Sequence, residues 1–201
     1  MPPDPSRVRG SGPLPSEERP PRWRQANTHR AKPHPPEHMI YEVAGDILQT
    51  RAEAIAHGVA PNDHFNQGLA LALRERWPAM AKDYRHYYHV HHPKPGGLWA
   101  WGGVGGDRVI NLMTQEPAPD SEDGNPGPAT TKYVNKALRQ LRKFIDEEGV
   151  KSVALPAVAT GVGGLEWDEV RPLIEQHLGD LDIPVFLYTE YVPGIRADEP
   201  G

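Results

Sequence analysis

The chain is 201 residues long, with 22 Lys and Arg against 27 Asp and Glu, a net charge of −5 at neutral pH. It contains 20 Gly, 23 Pro and no Cys. The length suits one domain with a tail, and the missing Cys excludes disulfides, thiolate metal ligands and a cysteine nucleophile. No run approaches the roughly 18 apolar residues of a membrane span, so no membrane association is expected. No apolar h-region follows Met1, so a secretory signal is not expected either, and the reading is of a cytoplasmic protein.

Residues 1–38 hold ten of the 23 prolines and seven basic residues against four acidic ones. That leaves −8 for residues 39–201. Only Val8, Leu14 and Trp23 are sizeable apolar groups between Met1 and Met39, too few to offset the entropy of ordering the segment. It reads as a disordered, Pro-rich basic tail. Residues 39–191 read as the working domain and residues 192–201 as a short polar C-terminal end.

Residues 39–43 form a short apolar strand ending at Gly45-Asp46, and residues 54–59 a second, buried one. A polar loop from Ala60 to Gly68 opens into a helix over residues 69–77 that Pro78 ends. Residues 97–101 and 108–113 read as a hairpin joined by a Gly-rich turn. After a second polar loop, residues 114–128, Val134, Leu138, Leu141 and Ile145 recur at helical spacing up to Gly149. A strand over 152–158, a helix over about 167–178 and a last strand over 184–191 complete the chain. Alternating strands and helices imply an α/β sheet between helical layers, with ligands outside the strand carboxyl ends.

Three loops carry chemistry. Gly161-Val162-Gly163-Gly164 lies between an apolar strand and a helix, where bare backbone N–H groups and the helix N-terminus suit a phosphate or diphosphate; a tight turn is the alternative. Neither Gly-Lys-Ser/Thr nor G-x-G-x-x-G accompanies it, which disfavours a P-loop and a Rossmann site. The loop bearing Asn62, Asp63, His64, Asn66 and Gln67 can hydrogen-bond a ribose and place a water, or simply cap the following helix. The run His86-Tyr87-Tyr88-His89-Val90-His91-His92, read as extended, puts His89 and His91 on one face. Without a carboxylate at i, i+4 it suits a solvated patch better than a metal site. No metal and no cofactor are expected.

Taken in order, four stretches resemble the macro domain family. They are Gly45-Asp46-Ile47-Leu48, Ala56-His57-Gly58-Val59, Gln67-Gly68-Leu69-Ala70, and the long run from Leu155 through Thr160-Gly161-Val162-Gly163-Gly164-Leu165 to Trp167. The similarity spans about residues 39–191. It is strongest to the branch containing ADP-ribosyl-glutamate and DNA de-ADP-ribosylating enzymes. The resemblance implies a three-layer α/β/α sandwich with a mixed central sheet and a cleft for ADP-ribose. Asp46 would accept the adenine amino group, and Ile47 would contact the ring through its backbone. Thr160, Gly161, Val162, Gly163, Gly164 and Leu165 would hold the diphosphate. Asn62, Gln67 and Gly68 would surround the distal ribose, and Tyr188 or Tyr191 would border the adenine.

Two positions depart from the branch. Its enzymes place a Lys where this chain has Gln115 and an Asp where it has Gly163, and Gln cannot attack an anomeric carbon. A hydrolase here would use a water placed by Asp63 or His64, with Asn66 on the ribose hydroxyls. The expected function is therefore an ADP-ribosyl hydrolase acting on modified protein or nucleic acid, or an enzyme processing ADP-ribose 1''-phosphate. A non-catalytic reader is the alternative. A monomer is expected.

Overall fold

Strands β2 (Ala54–Val59), β4 (Arg108–Met113), β5 (Val153–Pro156) and β6 (Val185–Tyr191) are nearly continuous apolar runs, and such runs must be covered on both faces. The computed structural model describes residues 39–119 and 125–201, and its helices supply that cover. With β1 (Ile40–Gly45) and β3 (Leu98–Gly102) the strands form one sheet in the order β1-β6-β5-β2-β4-β3. Every neighbouring pair is parallel except β3–β4, so the sheet is mixed as expected. The Pro-rich tail read over residues 1–38, and residues 120–124 of the second polar loop, lie outside the described residues.

Side chains alternate between two cores. Ala54, Ala56, Ile110 and Leu112 join helices α3 (Thr131–Glu148) and α4 (Trp167–Leu178) on one face. Ile55, Val59, Val109 and Met113 join α1 (Gly68–Arg76) and α2 (Pro78–His91) on the other. The predicted stripe of α3 is the one that buries, with Val134, Leu138, Leu141 and Ile145 all inside. Thr130 caps its start by accepting from the Tyr133 N–H, and Gly149 ends it at φ 63°, a left-handed position that glycine enters without a Cβ penalty.

The structure corrects the sequence reading between Pro78 and His92. Pro78 does not merely stop a helix; α1 ends at Arg76, and Pro78 occupies the first position of α2, where its missing N–H is unneeded and its fixed φ suits the helix. The His86–His92 run is the last part of α2 rather than a strand. Residues two apart on a helix point to different sides, so His89 and His91 share no face. Among the described residues no three His, Asp or Glu side chains gather as a metal site. No described helix is long and apolar enough to cross a membrane.

Residues 192–201 pack onto the domain. The Asp46 N–H donates to the Ile195 carbonyl at 2.7 Å, and Ala197 is buried in the α1/α2-side core. Glu199 is buried as well. Its carboxylate accepts from the Thr50 and Tyr188 hydroxyls and from the Arg51 N–H at 2.9 Å. Truncating Glu199 leaves these donors unpaired. Glu199→Ala is expected to lower stability by about 1–3 kcal/mol, read as a shifted denaturant midpoint; an unchanged midpoint would show that the segment contributes nothing to the fold.

Candidate functional site

The carboxyl ends of β2, β5 and β6 open on a cleft of about 340 Å³ lined from four directions. His57 and Gly58 come from β2, Asp63 and residues 67–70 from the loop and helix that follow it, Gln115 and Pro126 from the second polar loop, and residues 156–163 from the loop after β5. Tyr188, Thr189 and Tyr191 close the side at β6. A wider depression of about 760 Å³ lies between Glu42 of β1 and Arg171 of α4. It gathers no strand-end loop, and Arg171 is already paired with Glu42 and Glu175.

The loop after β5 folds on its own hydrogen bonds. Thr160 Oγ1 donates to the Ala157 carbonyl at 2.6 Å, the Gly164 N–H to Gly161 at 3.1 Å and the Leu165 N–H to Ala159 at 3.0 Å. Ala159 takes φ 63°, a rare position for a residue with a Cβ, and Gly164 takes φ 75°. None of the Gly161, Val162 and Gly163 N–H groups donates to another described residue. Successive unpaired amides in such a turn form a concave anion site. Glu166 and Glu169 close a capping box over the start of α4, which bonds their own two amides and places carboxylates at that end. Those carboxylates oppose an anion at the start of α4.

The loop after β2 divides its polar side chains. Asp63 lines the cleft, its Oδ1 accepting from the Phe65 N–H at 2.8 Å and its Oδ2 from the Ala60 N–H at 3.0 Å. Burial raises its carboxyl above the ordinary range, against the opposing pull of those two amides and of His64. Asn62, His64 and Asn66 do not line the cleft. The Asn62 amide is engaged with Ala118 in both directions, at 2.7 and 3.0 Å, and Arg74 donates to the His64 carbonyl and to Asn66 Oδ1. Gln67 and Gly68 line the cleft.

At the β6 side, Asp46 lies beside the cleft rather than in its lining. Its Oδ1 accepts from the Leu48 N–H and its Oδ2 from the Gly194 N–H, each at 3.0 Å, and Ile47 behind it is buried. Tyr188 lines the cleft with its hydroxyl turned into Glu199, whereas Tyr191 lines it with an exposed ring. Gly164 and Leu165 fall outside the lining.

Sequence reasoning assigned no role to His57. It is 2% exposed and directly opposite Asn111 in the β2–β4 register. Its Nε2–H donates to Asn111 Oδ1 at 2.6 Å while the Asn111 amide donates to the Trp99 carbonyl, which fixes the tautomer. Burial holds its pKa down at about 4, only partly countered by Asn111, so the ring is neutral at pH 7. The one available signal is a His inside an apolar run, Ala54 to Val59.

The two departures are built into the backbone. Gln115 is 5% exposed at the cleft wall, and its side-chain amide donates to the Gly127 carbonyl at 3.1 Å. A Cβ on Gly163 would lie 2.6 Å from the Ala159 carbonyl oxygen and 2.8 Å from the Ala129 Cβ. No Asp fits there unless the loop moves.

A buried six-stranded mixed sheet, helices on both faces and an amide-lined cleft beyond the strand ends define the macro domain architecture. The macro domain family model matches residues 60–174, and the chain belongs to that family. The DNA ADP-ribosyl glycohydrolase of Mycobacterium tuberculosis is 27% identical over 154 residues, 74% of this chain and 42% of that protein. Human ADP-ribose glycohydrolase OARD1 is 20% identical over 151 residues, 75% of this chain and 91% of that protein. The macrodomain of Thermus aquaticus DarG superposes with a TM-score of 0.67 at 26% identity, covering 75% of this chain and 98% of that one. The chain spans less than half the length of the DNA ADP-ribosyl glycohydrolases it matches.

His57 generates a pH prediction. Its folded pKa lies below the unfolded value of 6.5, so the unfolded chain binds the extra proton first as pH falls. The folded state has its full stability above pH 6.5 and loses about 3 kcal/mol on acidification to pH 4 from this group alone. His57→Gln is expected to flatten that part of the profile in denaturant titrations; an unaltered profile would assign the acid sensitivity elsewhere. Gly163→Asp is expected to destabilise by about 1–3 kcal/mol through backbone overpacking, and a neutral effect in the same titration would show that the loop yields.

Proposed function

We propose that the cleft binds ADP-ribose or an ADP-ribosyl group, and that the protein is a hydrolase that removes the group from a modified macromolecule. The observation that carries this reading is the juxtaposition in one cleft of three loop amides, at Gly161, Val162 and Gly163, that have no partner among the described residues, with the half-buried carboxylate of Asp63. The amides suit a diphosphate. Each Asp46 oxygen accepts one backbone N–H, which leaves lone pairs for an adenine amino group, and the exposed Tyr191 ring offers an apolar border to the base. Gln67 and Gly68 stand where a distal ribose follows the diphosphate. The glycohydrolase names of several relatives support the same direction.

In the proposed step a water attacks the anomeric carbon of the distal ribose and gives its proton to the Asp63 carboxylate. The bond from that carbon to the carrier breaks, and the carrier leaves with the electron pair and takes up the proton that Asp63 releases, through solvent, which returns Asp63 to its carboxylate. Free ADP-ribose and unmodified carrier result. A carboxylate whose pKa is raised by burial is a better base than an exposed one. His57, neutral and tied to Asn111, keeps the floor of the cleft uncharged. Gln115 and Gly163 favour a second reading, a reader that binds without turnover, because neither supplies a nucleophile or a base.

Calorimetric titration of the full chain with ADP-ribose is expected to give micromolar or tighter binding, about −8 kcal/mol, with AMP and NAD weaker. Because the attraction comes from amides on a domain of −8, the affinity should change little between low and moderate salt. Asp63→Asn is expected to keep that affinity and lose about 100-fold or more in release of ADP-ribose from modified substrates. Equal turnover in the variant would remove Asp63 from the mechanism. Binding with no turnover in the parent protein would establish the reader.

A further inference from the structure

After β6 the chain turns back past the end of β1. The Val192 N–H donates to the Gly45 carbonyl at 3.1 Å, and the Asp46 N–H returns a bond to the Ile195 carbonyl. Gly45 permits so close an approach. A Cβ there would lie 2.7 Å from the Ala197 nitrogen and 2.8 Å from the Ile195 carbonyl oxygen. Beyond that point burial alternates as in an extended chain, with Ala197 and Glu199 inside and Arg196, Asp198 and Pro200 outside. Ala197 joins the buried cluster that holds Val43, Phe186 and Tyr188, so residues 192–199 lie as a strap on that part of the sheet.

Glu199 is the anomaly in the strap. A buried carboxylate gives up its hydration, and an apolar side chain would cover the sheet without that cost. What the acid does instead is gather donors from two distant segments. Thr50 and Arg51, at the end of the short turn Ile47–Gln49, give a hydroxyl and a backbone N–H, and Tyr188 of β6 gives its hydroxyl. Burial first, and then the bond to Glu199, hold the Tyr188 hydroxyl above its ordinary pKa, so it stays a donor. The strap holds the start of the same turn as well. Asp46 caps it, with Oδ1 on the Leu48 N–H and Oδ2 on the Gly194 N–H. Both groups that border the base end of the cleft, Asp46 and Tyr188, are thus hydrogen-bonded to residues 194–199.

We infer that the strap of residues 192–199 sets the base selectivity of the cleft, with Glu199 as a positioning residue that fixes Tyr188 and the Ile47–Gln49 turn. The inference rests on the ADP-ribosyl reading of the cleft for the ligand concerned. A carboxylate offers only acceptors, and the two amides on Asp46 fix where its remaining lone pairs point. An exocyclic amino group on the base satisfies them. A carbonyl at the same place meets acceptor with acceptor and leaves both unpaired. That mismatch discriminates only if the site cannot yield. Glu199 supplies the rigidity by tying the Tyr188 ring and the far end of the turn to one buried group, before any ligand arrives.

The test is calorimetric titration of the full chain with ADP-ribose and with IDP-ribose, the analogue that carries a carbonyl in place of the adenine amino group. The two share both riboses and the diphosphate, so their ratio reads the base end alone. The parent protein is expected to prefer ADP-ribose by about tenfold or more. Glu199→Ala, titrated below its thermal midpoint, is expected to lose most of that preference through an ADP-ribose affinity about tenfold weaker. Tyr188→Phe removes only the hydroxyl and carries the same expectation in a variant that keeps the strap. Glu199→Gln retains an acceptor for the two hydroxyls and is expected to restore most of the preference. A purely structural Glu199 would lower the folded fraction, and with it the binding stoichiometry, but leave the ratio of affinities intact. An intact ratio in folded Glu199→Ala, or in Tyr188→Phe where the former does not fold, overturns the inference. Equal binding of both ligands by the parent overturns it too, with the cleft reading left standing. A parent that binds neither overturns the ADP-ribosyl reading itself.

Discussion

A sheet covered by helices on both faces disfavours polar groups, so the candidate site gathers mostly in the loops beyond the carboxyl ends of β2, β4, β5 and β6. Those loops are partly buried and must first satisfy their own backbone. In the loop after β2, Asp63 caps the Ala60 and Phe65 amides, Asn62 ties down Ala118, and Arg74 grips His64 and Asn66. In the loop after β5 the bonds among residues 157–165 close internally and leave the amides of Gly161, Val162 and Gly163 over. The site is what remains after this internal accounting.

Backbone strain borders the cleft on two sides. Phe65 and Ala159 both take positive φ, at 56° and 63°. Such conformations persist only where the surroundings over-determine them. Phe65 is pinned by its ring, which packs against His57 and edge-on against Tyr84, whose hydroxyl in turn donates to the Ala60 carbonyl at 2.8 Å. Ala159 is pinned by the bond its carbonyl accepts from Leu165 and by the space that Gly163 leaves beside it. The two loops are thereby set before any ligand arrives, which is how a rigid scaffold reduces the ordering cost of binding.

Charge is segregated. The domain is acidic as a whole, yet the walls that face the cleft offer amide dipoles, a neutral histidine and one carboxylate rather than a cationic clamp. Exposed Lys and Arg side chains lie instead on the outer helices, among them Lys132, Lys136 and Arg139 of α3 and Lys82 and Arg85 of α2. The closing residues 192–201 brace the other end, where Glu199 gathers Thr50, Arg51 and Tyr188 and the backbone around Gly194 and Ile195 engages Asp46.

Periodicity along the chain determined the sheet and most helices, since alternation and the spacing of Val134, Leu138, Leu141 and Ile145 encode which faces bury. The order of short motifs around Gly45, Gly68 and Gly161 determined the family, because each glycine answers a local backbone demand. The helix from Pro78 to His91 was missed because a proline that stops one helix also suits the first turn of the next, and its aromatic and histidine residues have weak local preference. Which loop side chains face the cleft was decided by the tertiary structure alone. Asn62 is committed by Ala118, 56 residues away, His57 by Asn111, 54 away, and Tyr188 by a glutamate in what had read as a polar end. A side chain's inventory of donors and acceptors is written in the sequence; its partner is chosen by the fold that brings distant strands together.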